Sequence, residues 1–168
     1  MRHIISILLE NQAGALARVA SLFSTRGYNI ESLNVAPTDD ETVSRLTLVT
    51  LGSDEVIAQI SKQLGKLVDV VSIVDMTGKD HIERELALFK VRPPESARPK
   101  LTALLDDFGG HVLGYDEGHG TLELVGNGPE IDDFMGEVAD LAEIETVVRS
   151  GAMAMERGSP VLDAHFED

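Results

Sequence analysis

The sequence predicts an α+β chain built from two βαββαβ sandwiches in tandem. Three observations carry that prediction. Four segments place apolar residues at i, i+3, i+4 and i+7, the spacing of a helix with one buried stripe. Runs with strand character lie between them. The order of elements in residues 1–76 recurs in residues 84–150. Two such repeats make two ferredoxin-like units, each with helices on one face of an antiparallel sheet.

The first repeat opens with His3–Leu9, a nearly continuous apolar run and so a strand. Leu16, Val19, Ala20 and Phe23 then mark a helix. Asn29–Val35 and Arg45–Leu51 are mixed strands, with Leu46 and Leu48 alternating against Arg45 and Thr47. Between them, Pro37-Thr38-Asp39-Asp40 has the composition of a turn. Val56, Ile57, Ile60 and Leu64 mark the second helix, and Val68–Val74 the last strand. The outer face of this sheet needs cover, which a partner domain or second chain would provide.

The second repeat follows the same order. Leu86–Val91 is a strand, and Leu101, Leu104, Leu105 and Phe108 mark a helix over 100–108. Val112–Tyr115 and Thr121–Val125 form a hairpin around Asp116-Glu117-Gly118. Ile131, Phe134, Met135 and Val138 mark a helix, and Ile144–Arg149 closes the unit. The expected domains are therefore 1–78 and 84–157, joined by a linker at 79–83. A tail at 158–168, with a proline and acidic residues, is expected to be disordered, with Phe166 a residue that can still dock.

The chain has 168 residues, 43% of them hydrophobic and 26% charged, and no cysteine. The hydrophobic share is enough for a buried core. Disulfides, thiolate metal sites and cysteine nucleophiles are excluded. No apolar run approaches the roughly 18 residues of a membrane span. The start, Met1-Arg2-His3, lacks the pattern of a secretory leader, so a cytoplasmic location is expected. The formal net charge is −15, and aromatics are 4%. That combination argues against an RNA-binding use of the fold, which needs a basic surface and stacking aromatics. The acidity is uneven. Residues 1–78 hold 6 Lys/Arg against 9 Asp/Glu, and residues 79–168 hold 8 against 20. A solubilising surface and an acidic docking face are the two readings of that skew.

Catalytic signals are weak. His3, His81, His111, His119 and His165 lack metal-ligand spacing, although His111 and His119 flank the hairpin and can meet across it. Gly109-Gly110 with Gly114 lacks the strand–glycine–helix order of a phosphate loop. Asp106-Asp107 and Asp132-Asp133 read as solvated helix faces and caps.

One loop reads as a site. After Leu8-Leu9-Glu10, the run Asn11-Gln12-Ala13-Gly14-Ala15-Leu16 opens the first helix. Backbone N–H groups at such a helix start, with the helix dipole, favour a carboxylate. Gly14 lets a ligand approach the backbone closely. The Asn11 amide can donate to a carboxylate or accept from an ammonium. An α-amino acid carries both groups at one end. The same residues also suit a plain turn, with Asn11 as a cap and Gly14 easing the bend. Gly27 reads as a helix C-cap. Asn29 behind it is either a turn residue or, if two modules pair, a group that reaches the loop of the other chain.

The strings that contain these residues resemble a known family. LLENQAGALARVASLFSTRGYNIESLNVAPTDD, then SRLTLVT, then KQLGKLVDVVSIVDM resemble the N-terminal ACT domain of the acetohydroxyacid synthase (acetolactate synthase) small subunit. The resemblance continues through Glu83–Leu88 and at Arg149-Ser150-Gly151. Residues 93–120 depart from the family pattern, and no site is carried onto the second half.

The resemblance implies a non-catalytic regulatory chain that dimerises and binds a branched-chain amino acid, usually valine, at the subunit interface. It implies that Asn11 and the Gly14, Ala15 and Leu16 backbone hold the effector's carboxylate and amino group. Asn29 and Ile30 would come from the neighbouring chain. No catalytic or metal-binding residue is expected here, and no cofactor. The large catalytic subunit, the expected partner, would carry thiamine diphosphate, magnesium and FAD. It would form acetolactate, with activation by this chain and feedback inhibition by valine. A free-standing ACT regulator of another target is the rival reading.

Overall fold

A computed structural model describes residues 1–162. The elements run β1 (Arg2–Glu10), α1 (Ala15–Thr25), β2 (Ile30–Pro37), β3 (Val43–Leu51), α2 (Asp54–Leu64) and β4 (Val70–Asp75). They continue with β5 (His81–Arg92), a 3-10 turn (Glu95–Ala97), α3 (Arg98–Asp107), β6 (His111–Asp116), β7 (His119–Gly126), α4 (Gly128–Ala139), β8 (Glu143–Arg149) and β9 (Met153–Glu156). Two compact units share them. One is Met1–Ile82 with the segment from Ala152 on, and the other is Glu83–Gly151. Each contains one βαββαβ repeat, so the fold class is that read from the sequence.

In the first unit the strand order is β2-β3-β1-β4, antiparallel throughout. β2 is an edge strand. β1 alternates its two faces between two apolar environments. Ile5, Ile7 and Leu9 meet Val19 and Phe23 of α1 and Ile57, Ile60 and Leu64 of α2. Ile4 and Leu8 face the other way and are equally buried. A strand buried on both faces reads as an unbroken apolar run, which is why residues 3–9 lack alternation. α2 has a complete set of helix signals. Ser53 accepts from the Val56 N–H, Asp54 and Glu55 sit in the first turn, and Lys62 sits in the last; each complements the helix dipole.

The outer face of this first sheet is covered by the chain's own return. Ile4, Val49 and Met76 pack on Ala152 and Ala154, and Leu8 and Val43 on Leu162. Arg45 donates to the Ala154 carbonyl at 3.1 Å and to Glu156 at 3.2 Å. The Val161 N–H donates to the same Glu156 carboxylate at 2.8 Å. Residues 152–157, assigned from sequence to the second domain, thus belong with the first. The partner domain or second chain expected on this face is in part replaced by this segment. Of the expected tail, 158–162 is placed with Leu162 buried, and residues 163–168, including Phe166, lie outside the described residues.

Other boundaries shift by a few residues. β5 begins at His81, inside the expected linker. Val68 is 85% exposed, and β4 starts only at Val70. The intervening residues continue a turn in which Leu67 N–H meets the Leu64 carbonyl and Val70 N–H the Leu67 carbonyl.

The second unit has strand order β6-β7-β5-β8, and β9 pairs with β5, the strand that starts in the first unit. Ala87, Phe89 and Val91 of β5 pack on Leu101 and Leu105 of α3 and on Ile131, Phe134 and Val138 of α4. Phe134 meets Phe89 and Phe108 edge-on, at 5.2 and 5.3 Å between ring centroids. The β6–β7 turn uses positive φ at Glu117 (49°) and Gly118 (87°), the twist a tight hairpin needs. Asn127 and Glu130 form a reciprocal capping box on α4. His111 and His119 do not meet, because His111 pairs with Glu123 and His119 with Asp116. His119 instead contacts Glu145 at 2.6 Å and Arg92 at 2.9 Å. Asp132 does more than face solvent: with Glu85 it receives the Arg149 guanidinium, at 2.6 Å to Asp132 and 2.9 and 3.0 Å to Glu85.

Candidate effector-binding site

The β1–α1 connection is held by four backbone bonds, one of them the Ala15 N–H donating to the Gln12 carbonyl at 3.3 Å. Glu10 N–H donates to the Asp69 carbonyl at 2.8 Å, Asn11 N–H to Thr42 at 2.7 Å, and Gln12 N–H to Glu10 at 2.8 Å. The acceptors Thr42 and Asp69 come from the β2–β3 hairpin and the α2–β4 turn. The loop is therefore part of the sheet's end, not a free excursion.

The Asn11 side chain is oriented by the same hairpin. Its Nδ2 donates to the Glu41 carbonyl at 2.9 Å. Its Oδ1 then remains as an acceptor, suited to an ammonium. Gly14 occupies the N-cap of α1 at φ 87° and ψ −10°, with no side-chain cap among the described residues. With the Ala15 N–H taken by the Gln12 carbonyl, a helix start without such a cap leaves the first-turn N–H groups from Leu16 on for an anion.

Beside this loop is a cavity of about 250 Å³, lined in part by Asn11, Ala15, Leu16, Val35, Ala36 and Pro37. One wall is the loop and the first turn of α1, and the other is the end of β2. Leu16 is 38% exposed, whereas Ala15, Val19 and Phe23 face the core. Leu16 thus belongs to the cavity's rim, at the exposed end of the helix's stripe. The arrangement offers backbone donors, one amide acceptor and a short apolar wall, the set that a small α-amino acid requires.

The structure brings Asn11, Ala15 and Leu16 into the cavity wall, while Gly14 sits at the N-cap just ahead of them and outside that wall. The structure does not bring Asn29 and Ile30 to these residues within one chain. Ile30 begins β2 with Asn29 just before it, and the cavity wall is the other end of that strand, about 20 Å away at some 3.3 Å per residue. The Asn29 carbonyl accepts from Thr50 Oγ1 at 2.6 Å, and Ile30 packs on the first core. Sequence reading overlooked Val35, Ala36 and Pro37, whose apolar run next to a turn was the available signal. It also overlooked Arg18 and Asp69. Arg18 Nη2 donates to Asp69 Oδ1 at 2.8 Å, and Nε donates to Oδ2. That paired bond raises the already high pKa of Arg18. It also holds the Asp69 carboxyl below its ordinary value, against the opposing effect of burial.

Among the described residues, no three His, Asp or Glu side chains gather as a metal-binding group. No described helix is long and apolar enough to cross a membrane.

Comparison with known proteins agrees with the two-repeat fold. Residues 5–72 match the family model for the ACT domain of acetohydroxyacid synthase small subunits. Residues 84–158 match that for the small subunit of acetolactate synthase. The chain is 43% identical over 162 residues to the acetolactate synthase isozyme 3 small subunit of Escherichia coli, covering 96% of this chain and 99% of that one. It is 44% identical over 158 residues to the small subunit from Haemophilus influenzae, with coverage of 94% and 97%. The crystal structure of the small subunit from Thermotoga maritima superposes with a TM-score of 0.83 at 30% identity, covering 95% of this chain and 99% of that chain. With both repeats matched and nearly the full length of each relative covered, this chain belongs to the family of acetolactate synthase small subunits.

Proposed function

We propose that valine is the effector of this regulatory subunit, and that it binds in the cavity between the β1–α1 loop and the end of β2. Family membership makes the chain the non-catalytic regulatory subunit of acetolactate synthase, in branched-chain amino acid biosynthesis. The observation that carries the effector reading is the cavity itself. It joins the first turn of α1 at Ala15 and Leu16, the Asn11 Oδ1 acceptor and the apolar residues Val35 and Pro37. The carboxylate would take the first-turn N–H groups, worth about 0.3–1 kcal/mol and up to about 2. The ammonium would face Asn11. Burying the isopropyl group adds about 1.5–3 kcal/mol. One extra methylene changes binding by only about 1–3 kcal/mol, so leucine and isoleucine compete in a graded way.

A second copy of the chain completes the site in this reading. β2 is an unpaired edge of the first sheet, with Val35 39% exposed. Antiparallel pairing of two β2 strands around a two-fold axis sets the start of one against the end of the other. Asn29 and Ile30 of a second copy would then approach the cavity wall at Val35–Pro37. Valine held between two chains changes how they pack, and a coupling of about 1–3 kcal/mol is ordinary for such regulation.

The test is acetolactate formation by the host's catalytic subunit, alone, with this chain, and with valine added. Stimulation by the chain that valine reverses supports the reading. Stimulation without any valine response rejects the effector. Sedimentation of the isolated chain as a monomer at the assay concentration rejects the shared site.

A further inference from the structure

We infer that Arg18 and Asp69 are a positioning pair that clamps both ends of the effector loop and thereby sets the affinity for the effector. The inference rests on residues 10–16 being that loop. Asp69 lies in the turn between α2 and β4 and is 3% exposed. Its carbonyl accepts the Glu10 N–H at 2.8 Å, where the loop begins. Its carboxylate accepts Arg18 through Nη2 at 2.8 Å and through Nε, one turn into α1. A single buried residue thus grips the loop at its entry and its exit.

Arg18 adds a contact in the middle. A Cβ on Gly14 would lie 2.9 Å from Arg18 Nη1, so the guanidinium rests against the backbone of the N-cap residue. The Arg18 N–H also donates to the Gly14 carbonyl at 3.0 Å. Arg18 does not line the cavity. It therefore acts on the loop and not on the ligand. The bidentate fork makes this more than an attraction between charges. A planar guanidinium held at two nitrogens has a fixed orientation, which an ammonium on a flexible stem lacks. The loop amides are in this way referenced to the corner between α2 and β4, 51 residues away in sequence. Preorganised donors bind more tightly because the ligand need not order them.

Arg18→Gln, Arg18→Lys and Asp69→Asn test this in the full-length chain. Two readings are needed. The first is amide hydrogen exchange without valine. The second is the valine concentration for half of the valine-dependent inhibition, measured with the catalytic subunit. Arg18→Gln and Asp69→Asn should speed exchange at residues 11–16 selectively and raise the half-inhibitory valine concentration about tenfold. Arg18→Lys keeps the charge but not the fork and should fall between these and wild type. Should Asp69→Asn fold poorly, the half-exposed Arg18 series carries the test alone. Half-inhibition within twofold of wild type in Arg18→Gln would overturn the proposal, as would an exchange increase spread evenly over the first unit. If the wild-type chain shows no valine response, the effector reading fails. Selective exchange at residues 11–16 then still separates the clamp from that failure.

Discussion

Gly14 is the position at which a single methyl group should separate backbone shape from charge. Its φ of 87° and ψ of −10° are costly for any residue with a Cβ, by about 1–2 kcal/mol. The added Cβ would also stand 2.9 Å from Arg18 Nη1, the mobile end of a long side chain that can yield. Gly14→Ala therefore carries mainly the backbone cost. If the loop keeps its shape, that cost appears as lost stability. If the loop relaxes, it appears as lost affinity, about five- to thirtyfold for the same energy. Asn tolerates the left-handed region better than Ala does, so Gly14→Asn should bind valine more tightly than Gly14→Ala. Gly14→Asp has nearly the same shape as Asn but sets a carboxylate against the Arg18 guanidinium, where it competes with Asp69 for that partner, and it should bind weakest of the three. Titration calorimetry with valine, paired with thermal unfolding of each variant, gives both quantities. Wild-type affinity in Gly14→Asp, with unchanged stability, would refute both the site and the reasoning.

Three further outcomes follow from the packing. Leu162→Ala removes the side chain that covers Leu8 and Val43; it should cost about 2 kcal/mol, the low end for a buried leucine, read as a lower urea midpoint. Asn127→Ala breaks the capping box on α4 and should cost about 1 kcal/mol, seen in thermal unfolding of the second unit. For Glu156, burial pushes its pKa up, but its own backbone N–H, those of Val161 and Leu162, and Arg45 outweigh it and leave the value below the usual 4.5. A carboxyl with a lowered folded pKa stabilises above its unfolded pKa and stops doing so as pH falls through the folded one. The return segment should therefore be protected above about pH 4.5 and become protease-sensitive as the pH drops further, and Glu156→Gln should remove that dependence.

The parts legible in the sequence are those where local pattern and tertiary need coincide. The stripe Ile57, Ile60, Leu64 is both helical in spacing and core in the structure, and Ser53 with Asp54 announces its start. Asn11 and Gly14 were legible because a helix start has fixed chemical needs whatever surrounds it. Leu16 misled, since it shares a helix face with Phe23, and periodicity cannot tell a core residue from a rim residue at the exposed end of the same stripe. The return of residues 152–162 was not legible, because Met153–Glu156 is a short stretch whose burial depends on a sheet formed more than a hundred residues earlier. Arg18 and Asp69 failed for the same reason. Each looks like an ordinary surface charge until the fold places them together, and then Asp69 is almost fully enclosed.

The covering of the first sheet by Ala152, Ala154 and Leu162 has a consequence for synthesis. Domains generally fold as units, the earlier one first, while the chain is still being made. Here the earlier unit cannot be finished early. Until residue 162 has left the ribosome, Ile4, Leu8, Val43 and Val49 face water, although every strand of their sheet exists. The second unit, uninterrupted from Glu83 to Gly151, can close before the first does. A translation product cut short between the end of β4 and that return would carry the β1–α1 loop on an uncovered sheet. Such a chain would be marked for removal by its exposed apolar surface before it could bind a catalytic subunit.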